Sequence, residues 1–150
     1  MITIFVWPGI LQGNIGHASM RIDGTASLPE QYISWWPAGA GGVVNFLTDQ
    51  NIPAAFHTFD EDDDSEEHAN FHTISFGSLD EEGVRAWWDL WKTDMSYRLF
   101  HRNCATTVAK ALATGNHDIL TLQDNSFWTP FGVWAYAQQV YWTRQLLGNP

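Results

Sequence analysis

The chain has 150 residues, 45% hydrophobic and 16% charged, which suits one domain with its own core and excludes disorder of the whole chain. Its formal net charge is −10, and seven of its seventeen acids sit in one run: Asp60, Glu61, Asp62, Asp63, Asp64, Glu66 and Glu67. Nucleic acid and anionic membrane both require clustered Lys and Arg, so neither is expected as a partner.

The single cysteine, Cys104, allows no intrachain disulfide and fits a reducing compartment or a thiol kept for reactivity. No stretch has the length of a transmembrane helix. The first residues, Met1 to Gly9, lack a basic region and a small-residue cleavage site, so they read as a strand rather than a signal peptide. Export by the general secretory route is therefore not expected.

In chain order, Ile2 to Trp7 is a continuous apolar run closed by Pro8-Gly9, the pattern of a buried strand and turn. A loop with Gly13, Asn14 and Gly16 leads to an alternating strand. Its His17, Ser19 and Arg21 share one face, and Ala18, Met20 and Ile22 the other. Asp23-Gly24 signals a turn, and Tyr32 to Trp36 is a second β-prone run ending at Pro37, read as an antiparallel neighbour. Ala38 to Gly42 is Gly/Ala-rich and reads as flexible.

Residues 48–70 read as a long acidic surface loop, and Phe71 to Phe76 returns to the sheet. Ser78 and Glu81 have capping-box spacing before Val84, Trp87, Trp88 and Trp91, the apolar face of a helix. Asn103 is a second N-cap, opening a helix from Cys104 to Thr114 with Gly115 as its stop. Asn116 and Asp118 then read as loop residues, and a last helix covers Phe131 to Leu147. The expected class is α+β, an antiparallel sheet packed on a helix, in a single domain over 1–150.

The chemistry centres on Cys104. It is the first residue after an N-cap, where the helix dipole favours the thiolate, the attacking species. A nucleophilic thiol needs a base within hydrogen-bond reach, and His17 on a polar strand face is the candidate. Ser34 or Tyr32, on the adjacent strand, would steady the imidazole. The Cys104 backbone N–H would donate to a developing oxyanion. Spacing alone is a weak signal, because a lone helical Cys is more often an inert core residue.

Three segments carry a resemblance: Asn14 to Ile22 with its Gly-His-Ala-Ser, Tyr32 to Pro37, and Tyr97 to Leu112 with Asn103-Cys104. Together they resemble the permuted papain-like group, which includes permuted NlpC/P60-type thiol hydrolases and papain-like effector toxins of bacteria. In that group the His lies on an early strand and the Cys opens a later helix. The resemblance implies Cys104 as nucleophile and His17 as base, with Ser34 departing from the usual Asn, Asp or His at the third position. It also implies cleavage of peptide bonds in a protein substrate, without a cofactor. A toxin made in a bacterial cytoplasm and delivered into a target cell by a contact-dependent (type VI) secretion system would follow, with a cognate immunity protein as partner.

Two alternatives stand beside it. One is a glutamine or asparagine deamidase, or a peptidoglycan amidase, using the same Cys–His pair. The other is a non-catalytic binding module acting through the acidic loop. An acyltransferase on this fold would be expected to show an apolar membrane tail. Trp35, Trp36 and Arg21 are candidate substrate contacts, although the Trp residues also suit a core. His57, His68 and His72 flank the acidic run without the ordered spacing of a calcium loop, and no metal site is expected. His101 reads as a surface residue.

Overall fold

A computed structural model describes residues 1–9, 15–39, 49–117 and 127–148. Asn14, residues 40–48 and Asp118, which entered the sequence reading, lie outside this set. Strands are β1 (Ile2–Pro8), β2 (Gly16–Ile22), β3 (Gln31–Ile33), β4 (Trp36–Pro37), β5 (Ile52–Ala55), β6 (His72–Phe76) and β7 (Ser96–Tyr97). Helices are α1 (Phe59–Ser65), α2 (Glu81–Trp91), α3 (Cys104–Gly115) and α4 (Pro130–Leu146). The expected α+β class with antiparallel sheets is what the chain adopts.

The main sheet has the order β3-β2-β1-β6, and each neighbouring pair is antiparallel. A smaller sheet, β4-β5-β7, lies beside it. In β1 and β2 every residue but Pro8 and Arg21 is buried, because both faces of the sheet are covered. Ile2, Ile4, Val6, Ala18, Met20 and Ile22 join the core with Val108 and Leu112 of α3 and Val133, Ala137 and Val140 of α4. On the opposite face, Trp7 pairs with His17 across the strands. Phe5 and Trp7 pack against Phe59 of α1 and against Phe71.

The helix starts follow local chemistry. Asn103 caps α3, its Oδ1 accepting from Thr106 N at 2.7 Å. Thr129 caps α4, with Pro130 in the first turn. For α2 the N-cap is Asp80, which accepts from Gly83 N at 2.8 Å, and the capping box expected at Ser78 does not form. The reason is tertiary: Ser78 is held through its carbonyl (2.6 Å) and hydroxyl (2.8 Å) by the buried Arg144 guanidinium.

The larger correction concerns residues 48–70. In place of a surface loop the segment holds β5 and α1, and α1 turns Asp62 inward to complete burial. Thr58 and Glu61 form a reciprocal capping box that starts this helix. Phe59, Asp62 and Glu66 then fall on its inner side at helical spacing, while Asp60, Glu61 and Asp64 face solvent.

Gly16 begins β2 with φ +75°, and a Cβ there would come within 2.4 Å of the Trp7 carbonyl oxygen. Both the backbone conformation and the space require glycine. Gly16→Ala is expected to destabilise the fold by about 2 kcal/mol, a fall in Tm of roughly 4–8 °C for a domain of this size. Thermal denaturation followed by circular dichroism checks it.

Candidate active site

His17, Asp62 and Cys104 meet although they stand on a strand, a helix and a second helix. His17 is 1% exposed and Cys104 5%. The imidazole Nε2 donates to Asp62 Oδ2 at 3.1 Å. The ring also makes a side-chain hydrogen bond with Cys104. A thiol, an imidazole and a carboxylate that fixes the ring are therefore in hydrogen-bonded series, the order a thiol nucleophile and its base require.

Asp62 is the anchor of this series. Its Oδ1 accepts from Ser34 Oγ at 2.8 Å and Trp36 Nε1 at 2.6 Å; its Oδ2 accepts from Tyr32 Oη at 2.8 Å as well as from His17. Tyr32 in turn receives a bond from Ser19 Oγ at 2.6 Å. Burial alone would push the Asp62 carboxyl up, but the hydrogen bond and charge of His17, with the bonds from Tyr32 and Ser34, hold it below its ordinary value. Burial and the charge of Asp62 push the Tyr32 phenol up, so it remains a donor.

Burial disfavours the charged form of His17, yet the negative charges of Cys104 and Asp62 outweigh it and raise the imidazole to about 9. The ring is thus charged at neutral pH and sits beside the Cys104 side chain. That charge state suits a thiol nucleophile whose partner must later give a proton to a leaving group.

Trp36 lies flat on the imidazole, with ring centroids 4.3 Å apart and 22° between planes. His57 stacks on the far side of Trp36 at 4.9 Å, its Nδ1 3.5 Å from Asp62 Oδ1. The indole therefore both covers the imidazole and bonds the carboxylate that orients it.

At α3, Asn103 also donates through Nδ2 to Leu99 O at 2.6 Å and Trp128 O at 3.0 Å. The residue preceding Cys104 thus ties the helix start to the approach to α4. The Cys104 backbone N–H, expected to face an oxyanion, donates instead to the buried Tyr97 side chain of β7.

Residues 43–147 match the family model of the IcsB middle domain, more than two thirds of the chain. The chain belongs to the IcsB middle-domain family. The matched segment contains Asp62, Tyr97 and Cys104, while His17, Tyr32, Ser34 and Trp36 precede it. No curated protein and no solved structure matches the chain.

In this family member, of the residues expected at the site, the structure brings Cys104, His17, Ser34, Tyr32 and Trp36 together. Ser34 and Tyr32 act mainly on Asp62 rather than on the ring, although Ser34 Oγ also lies 3.2 Å from His17 Nε2. Trp35 is 0% exposed and packs against Phe56 and Trp88, so the expectation that it contacts substrate is corrected: it offers no surface. Arg21 lies over Phe5 and beside Asp23 and Glu30. His101 is a surface residue bonded to Asp49.

His68 pairs with Asp63, whereas His72 stacks on Trp134 from β6, so the two do not share a site. Among the described residues no group of three or more His, Cys, Asp or Glu could hold a metal ion, and no helix is long and apolar enough to cross a membrane. Asn116, expected in a loop, is buried and accepts from Arg144 at 2.9 Å.

Asp62 and Tyr97 are the site residues that sequence reasoning missed. For Asp62 a signal exists in Thr58-Phe-Asp-Glu61, a capping box inside the acidic run. Nothing local marks Tyr97.

Asp62→Ala leaves the buried Ser34, the half-buried Tyr32 and Trp36, and a charged imidazole without their acceptor. A loss of about 3–5 kcal/mol is expected by urea denaturation, and Asp62→Asn should lose distinctly less. The second expectation concerns pH. A raised imidazole remains protonated until pH passes its folded value, so proton donation by His17 is present below about 9 and lost above it. Any reaction at Cys104 that draws a proton from His17 should therefore slow as pH rises through about 9, while alkylation of Cys104 by iodoacetamide, which needs only the thiolate, should persist.

Proposed function

We propose that the protein is a cysteine-dependent enzyme that forms an acyl-enzyme at Cys104 from an amide of a protein substrate. The observation that carries this reading is the hydrogen-bonded series Asp62–His17–Cys104 at the start of α3. Cys104 attacks the carbonyl carbon, the imidazolium of His17 protonates the departing amine, and Asp62 holds the ring and its charge. Water, deprotonated by the now neutral His17, releases the acyl group. The overall reaction is then hydrolysis of a peptide bond.

The chain order supports a permuted papain-like fold: an early strand carries the His and a later helix opens with the Cys. Membership in the IcsB middle-domain family supports a place in a secreted bacterial effector. Contact-dependent delivery and a cognate immunity protein belong to the same proposal.

The depth of the site makes a second outcome for the acyl-enzyme worth testing. His17 lies almost wholly buried against Trp36 and Cys104 is nearly as buried, which limits the access of bulk water. An amine brought in by the target protein could then take the acyl group. Deamidation differs only in its leaving group.

Intact-mass analysis and mapping of new protein N-termini separate these outcomes, comparing target-cell lysate treated with wild type and with Cys104→Ala. New N-termini made by wild type alone are the expected result. A gain of about one dalton signifies deamidation, and a larger added mass signifies acyl transfer, each replacing hydrolysis as the reaction. A biological effect that survives Cys104→Ala overturns the enzyme reading in favour of a binding module.

A further inference from the structure

Tyr97 is almost fully buried on β7, opposite Ile52 of β5. A bridge between Arg98 and Arg102 closes the turn that follows, bringing the strand alongside the first residues of α3. There the Tyr97 side chain accepts the hydrogen bond of the Cys104 backbone N–H. That N–H is one of the donors a helix start leaves without an intrahelical partner. It is also the donor that an attacked carbonyl next to Sγ would otherwise meet.

We propose that the Tyr97 hydroxyl is the oxyanion donor of this site, with the Cys104 N–H bound behind it. The assignment rests on the acyl-enzyme reading above. A hydroxyl can accept and donate at once, and accepting from an N–H polarises it into a better donor. As the C–S bond forms, the π pair of the carbonyl moves onto oxygen, and the Tyr97 O–H donates a hydrogen bond to it without giving up its proton. Collapse returns the pair to the C=O, the C–N bond breaks, and the amine leaves with the proton of His17. Burial and the negative charge of Cys104 push the phenol up, so it remains protonated wherever the thiol site works.

Two reagents separate this role from a structural one. Iodoacetamide alkylates Cys104 by displacement at a saturated carbon, which develops no oxyanion. p-Nitrophenyl acetate acylates the same thiol through a tetrahedral oxyanion. Tyr97→Phe keeps the ring and removes the hydroxyl. It should leave alkylation within about twofold of wild type and slow acylation by roughly 10²-fold, the usual loss for one oxyanion donor. Acylation within about threefold of wild type overturns the assignment, because the hydroxyl then has no part in the step. Alkylation and acylation falling together overturns it also, since Tyr97 would then only support the fold of the site. A separate arm tests the reading beneath it. If wild type is acylated no faster than His17→Ala, the acyl-enzyme reading fails, and the oxyanion role fails with it.

Discussion

A carboxylate removed completely from water is the constraint on which the site depends. Burying such a charge is unfavourable by several kcal/mol unless hydrogen bonds and an opposite charge replace its hydration. Here four side chains do so: Ser34 and Trp36 on one oxygen of Asp62, Tyr32 and His17 on the other. The donors come from β2, β3, β4 and the link between β3 and β4, so satisfying one anion fixes several elements relative to one another. The main and smaller sheets are joined at this point, and the imidazole that serves the thiol inherits its orientation from the same bonds.

The thiol end is fixed differently. Asn103 uses its side-chain oxygen to cap α3 and its side-chain nitrogen to hold the backbone at Leu99 and Trp128. Cys104 therefore stands on a helix start that cannot fray without breaking contacts to two separate segments. Small side chains along α3, among them Ala105, Ala109 and Ala111, let the helix sit deep in the core. The thiol on this helix is held by packing, whereas the imidazole beside it is held by electrostatics.

What the sequence made legible was local or periodic. The apolar run of β1, the alternation of β2, the Val84–Trp91 face of α2 and the Asn103 cap all follow from spacing within one element, and each appears where spacing puts it. Charge density misled at residues 60–67. Seven acids within eight positions resemble a solvated loop, and most of their side chains are solvated, but a helix exposes one face while burying another. Asp62 lies on the buried face because Phe59, three residues before it, packs onto Phe5 and Trp7. Its donors are 26 to 45 residues away in sequence, a separation at which no local pattern operates. Ser78 failed as a cap for a related reason: a distant arginine competes for its oxygen. Tyr97 reaches Cys104 only through the turn between Arg98 and Arg102, which composition does not reveal.

The brevity of α1 carries its own consequence. Seven residues make too few intrahelical bonds to persist in isolation, and the exposed acids on this helix repel one another. Its folded state is thus borrowed from the docking of Phe59 and Asp62. Local opening of this two-turn helix would take the carboxylate away while the sheet, α3 and α4 remained intact. Loss of the Asp62 contacts and global unfolding are then different events with different free energies, and amide hydrogen exchange in α1 would follow the first rather than the second.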